Sequence, residues 1–211
     1  MIISKTPYRL SFFGGGTDYP DWLNNNKGAA LSVTIDKYIY VSLNVKSSFF
    51  HQDYRIVYRK TENKKKIQFI NHPSVRECFR HFDLKGGVEM NYMGDLPSKS
   101  GMGSSSAFTV GLLNAIYEHK KTRINKKKLA LKAIEIEQEI IKENVGSQDQ
   151  ISTSFGGFNL IKFKKSNDFS VKKIEINPDV TKELNGNLLL FYTGIKRKAN
   201  DIADTYTYKL N

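Results

Sequence analysis

Short apolar or alternating stretches, rich in β-branched and aromatic residues, recur along the chain and predict β-strands. Strands are expected over residues 1–13, 29–45, 54–59, 66–70, 88–93, 158–163, 169–176 and 188–192. Pro7 falls inside the first of them and limits that point to a sheet edge or a bulge, because proline has no N–H to donate. The polar residues 61–65 are expected to separate two strands.

Apolar residues at helical spacing predict two longer helices. One begins at Ser104 and runs through residues 107–117, and the other runs from Lys126 to about Glu143 with Asn125 as its N-cap. A shorter helix is expected over residues 74–82. Another is expected after Thr17 or Asp18, either of which could be its N-cap, with Pro20 in its first turn. A third is expected after Ser147, which forms a capping-box pattern with Gln150.

One carboxylate falls on the apolar face of the second long helix. At about 100° per residue, Glu137 lies among the isoleucines, whereas Glu135 and Glu139 lie on the opposite, polar face. A buried carboxylate is costly unless it meets a cation, a hydrogen-bond donor or a metal. Glu137 is therefore a candidate metal ligand, and the alternative is a structural glutamate bonded to a backbone group or an arginine.

A glycine- and serine-rich stretch, residues 95–107, leads directly into the first long helix. Gly101 and Gly103 can adopt backbone conformations closed to other residues and let a ligand approach the main chain. Ser104 and the two serines after it fall where free N–H groups and the positive end of the helix dipole face the loop. The stretch predicts a phosphate site, with an ordinary serine-capped loop as the alternative.

Two familiar phosphate and nucleophile motifs do not fit this loop. A Walker loop requires a lysine after its last glycine, and no lysine follows Gly101 or Gly103. A hydrolase elbow requires glycine where Ala107 stands. The loop therefore belongs to another class of anion site.

Three consecutive glycines, residues 14–16, lie between the first strand and the next predicted helix. Such a turn suits a backbone packed against a ligand, with Arg9, Thr17 and Asp18 at its sides, and a plain glycine turn is the alternative. It is not a dinucleotide fingerprint, because Tyr19 stands where the third glycine would be.

The composition narrows the class of protein. The chain has 211 residues, 39% of them hydrophobic, which is enough for a core, and a net charge of +12, which favours anionic partners. Lysine runs such as residues 64–66 and 126–128 are interpreted as solvated faces. The lone Cys78 excludes an internal disulfide, and no signal peptide or membrane span is evident, so a cytoplasmic protein without a membrane partner is expected.

Three stretches, taken in order, resemble the GHMP kinases, the superfamily of galactokinase, homoserine kinase, mevalonate kinase and phosphomevalonate kinase. They are PYRLSFFGGGTDYP at residues 7–20, the glycine- and serine-rich loop, and GSQDQ at residues 146–150. Within the superfamily, FGGGTD, GSQDQ and LLFYTG at residues 189–194 are most similar to the D-glycero-D-manno-heptose 7-phosphate kinases. The resemblance implies an α+β, ribosomal protein S5 domain 2-like fold with a mixed, mostly antiparallel sheet and helices packed on it.

The resemblance also implies roles for individual residues. Asp149 would accept or orient the proton of the sugar hydroxyl, and Arg9 would pair with it and with the transferring phosphoryl group. Ser105 and Glu137 would hold Mg²⁺. The ATP phosphates would be held by Ser98, Lys99, Ser100, Gly101, Met102, Gly103, Ser104, Ser105 and Ser106. The sugar would be contacted by Gly15, Gly16, Thr17 and Asp18, and because galactokinases carry Glu-His where Gly15-Gly16 stands, galactose is a poor fit.

The implied activity is ATP- and Mg²⁺-dependent phosphorylation of the anomeric hydroxyl of D-glycero-D-manno-heptose 7-phosphate. A kinase of another sugar, such as fucose or galactose, is the nearest alternative, and a non-catalytic nucleic-acid-binding module of the same fold is the less favoured one. Residues 1–187 are expected to form the ATP-binding domain. Residues 188–211 are expected to begin a second domain that the resemblance requires, so the 211-residue chain is expected to turn over weakly or not at all.

Overall fold

The structure, a computed structural model, describes residues 1–46, 53–98, 100–191 and 193–194. Its strands are β1 (Ile2–Phe13), β2 (Gly28–Val45), β3 (Tyr54–Val57), β4 (Thr61–Lys64), β5 (Val88–Gly94), β6 (Phe158–Phe163) and β7 (Phe169–Lys173). Its helices are α1 (Pro20–Leu23), α2 (Pro73–His81), α3 (Ser104–His119), α4 (Lys126–Ile134), α5 (Gln148–Phe155) and α6 (Pro178–Gly186). A 3₁₀ turn lies at Ile67–Phe69, and a π-helix, Glu135–Ile140, continues α4.

The long strand β2 is the centre of the single sheet that the described strands form. β1 pairs antiparallel with one edge of β2, and β5 and β6 pair antiparallel with different halves of the other edge. β3 runs parallel to β5, while β4 and β7 extend the two ends antiparallel to their neighbours. The predicted α+β fold with a mixed, mostly antiparallel sheet is confirmed.

Pro7 lies where the prediction required it. Strand β1 pairs with β2 alone among the described strands, and its register with β2 shifts between Pro7 and Arg9. A proline is tolerated there because the ladder is already interrupted. The shift also begins the stretch of β1 that carries Arg9 toward the glycine-rich loop.

The main core lies between the sheet and helix α3. This helix is buried along most of its length and packs against β1 and β2. A second, smaller core joins Leu23, Ala130 and Ile151 with the inward residues of β6 and β7. Both cores fix helices that carry predicted site residues. No helix in the described part of the chain is long and apolar enough to span a membrane.

The second long helix begins as predicted but changes its geometry. Asn125 caps it, because its side-chain oxygen accepts the N–H of Lys128 at 2.9 Å. The α-helix gives way to the π-helix at Glu135, and the N–H of Ile141 bonds to the carbonyl of Ile136. One continuous α-helix to about Glu143 is therefore wrong. Wider turns of this kind occur often at functional sites.

Two strand predictions are wrong for physical reasons. Residues 67–69 form a 3₁₀ turn, and the polar segment Thr61–Lys64 is the strand instead. Glu62 of that strand points inward, 5% exposed, and accepts bonds from the Tyr58 hydroxyl and the N–H groups of Asn71 and His72. Tertiary hydrogen bonds therefore override the polar composition of the segment.

The strand predicted over residues 188–192 is also wrong as far as it is described. Residues 188–191 form no strand, and the side chains of Leu189 and Phe191 are 80% and 78% exposed. Tyr192 and residues 195–211 lie outside the described residues, as does most of the segment predicted to begin a second domain. Apolar composition alone does not make a strand where no neighbouring strand is available to pair with it.

Candidate active site

An ion pair joins strand β1 to helix α5, which are far apart in the sequence. Arg9 of β1 donates from Nε to Oδ1 of Asp149 on α5 at 2.6 Å and from Nη2 to Oδ2 at 2.7 Å. Their side chains are 15% and 27% exposed. Burial lowers the pKa of the Arg9 guanidinium, but the Asp149 carboxylate outweighs this and raises it above its usual value. The pair is therefore bidentate and fixed in orientation, and both side chains remain partly accessible to a ligand.

The glycine-rich loop lies directly against this pair. Arg9 donates from Nη1 to the Gly101 carbonyl at 2.8 Å, and its backbone N–H donates to the Met102 carbonyl at 3.2 Å. Gly103 is the N-cap of α3 and has φ +71°. A Cβ on Gly103 would lie 3.0 Å from Cγ of Arg9 and 3.2 Å from Oδ2 of Asp149. Glycine is therefore required both by the conformation and by the ion pair beside it.

The predicted phosphate residues occupy the loop and the start of α3. Ser104 and Ser105 open the helix, and the Ser105 side chain is exposed. The hydroxyl of Ser100 is buried and has no hydrogen-bond partner among the described residues. Lys99 lies outside the described residues, and Ser98 is half-buried. Free helix N–H groups and an unpartnered hydroxyl beside an arginine make this end of α3 suitable for an anion.

Glu137 is buried as the helical pattern predicted, with no exposed surface. Its Oε2 accepts bonds from the Ser106 hydroxyl at 2.8 Å and from Nε2 of Gln150 at 2.5 Å. Removal from water raises the pKa of Glu137 to about 7, although the hydrogen bonds that it accepts act to lower it. Ser106, predicted as a phosphate residue, therefore uses its side chain to link α3 to Glu137.

The protein supplies too few oxygen atoms to hold the predicted Mg²⁺ by itself, so phosphate oxygens or water would have to complete its coordination. Oε1 of Glu137 is buried and has no hydrogen-bond partner among the described residues, so one carboxylate oxygen is available. The described chain holds no cluster of three or more His, Cys, Asp or Glu side chains suited to a metal. Mg²⁺ in nucleotide sites commonly takes one or two protein ligands and completes its shell with phosphate oxygens and water. Glu137 could supply one such ligand through Oε1, whereas Ser105 is exposed and the serine hydroxyl that contacts Glu137 is that of Ser106.

The triple-glycine turn divides into an open part and a packed part. Around Gly15 and Gly16, no described atom beyond the adjoining residues lies within 4 Å of the position a Cβ would occupy. Thr17 is used within the turn, where its hydroxyl donates to the Gly14 carbonyl at 3.0 Å. Asp18 is only 4% exposed. The space beside Gly15 and Gly16 is therefore open, whereas Thr17 and Asp18 already have hydrogen-bond partners.

Sequence reasoning missed residues that complete the site. Tyr19 is half-buried between the acidic groups, and burial, followed by the charges of Asp18 and Asp149, raises its pKa to about 12. Gln150 was assigned to a capping box with Ser147, but Ser147 makes no side-chain bond to the first turn of α5. The side-chain amide of Gln150 instead donates a hydrogen bond to Glu137. The position of both residues next to a predicted site aspartate was the available signal.

The chain is similar to known kinases. Residues 70–157 match the family model described as GHMP kinases N terminal domain. The chain is 29% identical over 99% of its length to D-glycero-alpha-D-manno-heptose 7-phosphate kinase of Campylobacter jejuni, and 27% identical over 93% to galactokinase of Pyrococcus furiosus. It spans 64% and 54% of the lengths of these two relatives.

Solved structures share the fold. A D-glycero-D-manno-heptose 1-phosphate kinase from Bacteroides thetaiotaomicron superposes with a TM-score of 0.82 at 23% identity, covering 100% of this chain and 71% of that one. Streptococcus pneumoniae phosphomevalonate kinase, in complex with phosphomevalonate and AMPPNP, superposes with a TM-score of 0.64 at 12% identity, covering 100% of this chain and 74% of that one. These superpositions show that the chain has the fold of these kinases, and the segment that matches the family model, residues 70–157, contains α3, α4 and α5.

Proposed function

We propose that the chain is the nucleotide- and sugar-binding part of an ATP-dependent sugar-phosphate kinase. One observation carries the proposal: the two-pronged Arg9–Asp149 pair lies against a glycine loop at the start of a long buried helix. Phosphoryl transfer needs charge neutralisation and alignment more than covalent chemistry from the protein. A binding module for nucleic acid has no need for an aspartate held in this way beside a phosphate cradle.

In the proposed reaction, Asp149 holds the sugar hydroxyl and takes its proton as the hydroxyl oxygen attacks the γ-phosphorus of ATP, and the bond from that phosphorus to the bridging oxygen breaks so that ADP leaves. Arg9 fixes Asp149 through Nε and Nη2, and its guanidinium lies next to the loop that would hold the phosphates. The N–H groups of the first turn of α3 and the positive end of its dipole stabilise the negative charge of the transferring group. These groups are in place before substrates bind.

Ser105 and Glu137 would hold Mg²⁺ together with phosphate oxygens of ATP. When bound, the ion would neutralise phosphate charge and favour the ionised form of Glu137. Ser106 and Gln150 would keep Oε2 of Glu137 oriented, which leaves Oε1 for the metal. The role of these two residues is to orient the glutamate.

D-glycero-D-manno-heptose 7-phosphate is the proposed sugar, phosphorylated on its anomeric hydroxyl to give the 1,7-bisphosphate. The wording of the GGGTD and GSQDQ stretches, the name of the Campylobacter relative and the open space beside Gly15 and Gly16 support this choice. The galactokinase relatives favour a second candidate, a kinase of another sugar such as galactose or fucose. The positive net charge suits two phosphorylated substrates.

The test is an ADP-release assay with heptose 7-phosphate, unphosphorylated heptose, galactose and fucose, run on the 211-residue chain and on the full product of its gene. Release with heptose 7-phosphate and a new anomeric phosphate in the ³¹P spectrum support the proposal. Release with galactose or fucose alone supports the second candidate. Strong turnover by the 211-residue chain would contradict the expectation of weak activity.

Binding separates the kinase from a nucleic-acid module. Mg²⁺-dependent ATP binding that is lost in Ser105→Ala and Glu137→Ala, and kept in the matched surface variant Ser170→Ala on β7, supports the kinase. Salt-sensitive RNA binding without ATP binding would overturn it. Circular dichroism confirms that each variant is folded.

A further inference from the structure

Asp18 is engaged on every side by backbone groups. Its Oδ1 accepts the N–H of Gly16 at 3.2 Å, and its Oδ2 accepts the N–H of Gln148 at 2.9 Å. Its carbonyl accepts the N–H of Ser147 at 3.2 Å. With 4% of its surface exposed, Asp18 has little area left for a sugar. The resemblance implies a sugar contact for Asp18, and the geometry adds a link between two segments of backbone.

The segment that Asp18 reaches is the start of α5, the 8-residue helix that carries Asp149. The first N–H groups of a helix need acceptors from outside it. Ser147 stands at the N-cap but does not supply its side chain to the first turn of α5. Asp18, 130 positions away in the sequence, provides the missing acceptor for Gln148. A carboxylate also suits the positive end of the helix dipole.

Gly146 is shaped to admit this contact. A Cβ on Gly146 would lie 1.9 Å from Oδ2 and 2.4 Å from Cγ of Asp18, which no side chain could tolerate without displacing the carboxylate. The glycine of the GSQDQ stretch is therefore explained by the aspartate of the GGGTD stretch. The two stretches form one unit.

We propose that Asp18 is a positioning residue that caps α5 from the other end of the domain and sets Asp149 in reach of Arg9. This inference rests on the proposed function for its catalytic consequence. The bond at Gln148 fixes the residue immediately before Asp149, so a shift of the helix start displaces the carboxylate that pairs with Nε and Nη2 of Arg9. Displacement of a reacting group by about 1 Å can reduce a rate 100-fold.

The variants form a graded series on the active enzyme. Asp18→Ala removes both acceptors, whereas Asp18→Asn keeps the shape and one acceptor but loses the charge. The expected result is a fall in kcat of roughly 10- to 100-fold for Ala and a smaller fall for Asn, with the KM for the sugar changed less than about twofold. A rise in the sugar KM at unchanged kcat would overturn the proposal, because that pattern belongs to a sugar ligand.

Gly146→Ala disrupts the same contact between Asp18 and the start of α5, because its Cβ would displace the Asp18 carboxylate. It is expected to reproduce the fall in kcat, and the double variant with Asp18→Ala is expected to be no worse than the poorer single variant, since both remove one interaction. Additive losses would contradict a shared contact. Asp21→Asn on the exposed first turn of α1 is the matched control and is expected to leave kcat unchanged.

Amide hydrogen exchange tests the cap without any substrate. In the 211-residue chain, the Gln148 N–H is expected to exchange roughly fivefold faster or more in Asp18→Ala, with the amides of α6 unchanged. Unchanged exchange at Gln148 would overturn the proposal. If the wild-type protein phosphorylates no sugar, the proposed function fails, while faster exchange still supports the cap and unchanged exchange still refutes it.

Discussion

Two carboxylates of the candidate site, Asp149 and Glu137, are held in opposite ways. Asp149 is partly exposed and already paired with a cation, through two bonds from Arg9. Glu137 has no exposed surface, and its hydrogen-bond partners, Ser106 and Gln150, are neutral. Burial raises the pKa of Glu137 to about 7, whereas Asp149 has its charge balanced at a distance of 2.6 Å.

The difference indicates what each carboxylate still requires. Asp149 has a fixed orientation and an accessible face, so the group suits work on a substrate hydroxyl without further assembly. Glu137 keeps one oxygen without a partner among the described residues, and a buried carboxylate is costly unless a cation or a donor satisfies it. The domain thus combines a partly exposed ion pair with a buried carboxyl group that no described cation balances.

The largest effect is expected from Asp149→Asn, which keeps the shape of the side chain and removes its charge. Loss of a positioned proton acceptor should reduce kcat by roughly 10²- to 10⁴-fold. ATP binding should be nearly unchanged, because Arg9 still reaches the loop through Gly101. ADP release and ATP titration measure the two quantities. Full activity in this variant would show that Asp149 is not the proton acceptor.

Glu137→Gln tests the buried carboxyl group by its effect on the free energy of unfolding. An acid whose pKa rises from 4.5 to about 7 on folding is most favourable below pH 4.5, and its contribution is lost as the pH rises toward 7. Glutamine does not titrate, so its contribution to the free energy of unfolding does not change with pH. The variant should therefore become more stable than the wild type across this window, by at most about 3 kcal/mol at pH 8. Urea unfolding from pH 4.5 to 8 with a chelator measures the gap.

The pH profile is the discriminating feature of that experiment. Cys78 and Glu143 are the titratable groups that interact electrostatically with Glu137, and neither can supply a positive charge, because a thiol and a carboxyl are either neutral or negative. A gap between variant and wild type that is the same at every pH would contradict a buried, cation-free Glu137. Addition of Mg²⁺ and ATP should close the gap, because only the wild type gains a metal ligand.

Gly103→Ala sharpens the account of the loop beside Asp149. The positive φ and the 3.0 Å approach to Arg9 should together lower the free energy of unfolding by about 1–3 kcal/mol and weaken ATP binding. Gly101→Ala is the matched comparison, since Gly101 has φ +77° but no crowding of a Cβ within 4 Å by described atoms outside its neighbours. Equal effects in the two variants would show that the contact with Arg9 contributes nothing.

The smallest effect is expected from Asn125→Ala, away from both carboxylates. Loss of the bond from Asn125 to the Lys128 N–H should cost about 1 kcal/mol of stability, with kcat unchanged. Thermal unfolding and the kinase assay report the two values. A fall in kcat of tenfold or more would mean that the start of α4 controls the π-helix and, through it, Glu137.

Features decided within one or two helical turns were predictable. The inward position of Glu137 followed from the 100° rotation per residue, and the Asn125 cap followed from side-chain chemistry beside its own helix. Predictions failed where distant partners decided the outcome. The capping box at Ser147 is absent from α5 because the Ser147 hydroxyl accepts a bond from Gln138 and the Gln150 amide bonds to Glu137, and β4 is a strand because it pairs with β3.

The local pieces could be derived from the order of the amino acids: a glycine loop opening a long apolar helix, a carboxylate on an apolar helical face, and a glycine turn after the first strand. The pairing of Arg9 with Asp149 across 140 positions and the capping of α5 by Asp18 became evident in the folded chain alone. Local propensities act over a few residues, whereas these contacts depend on the sheet and on α3 to bring β1 and α5 together. The site is therefore built from predictable parts whose pairing only the folded chain specifies.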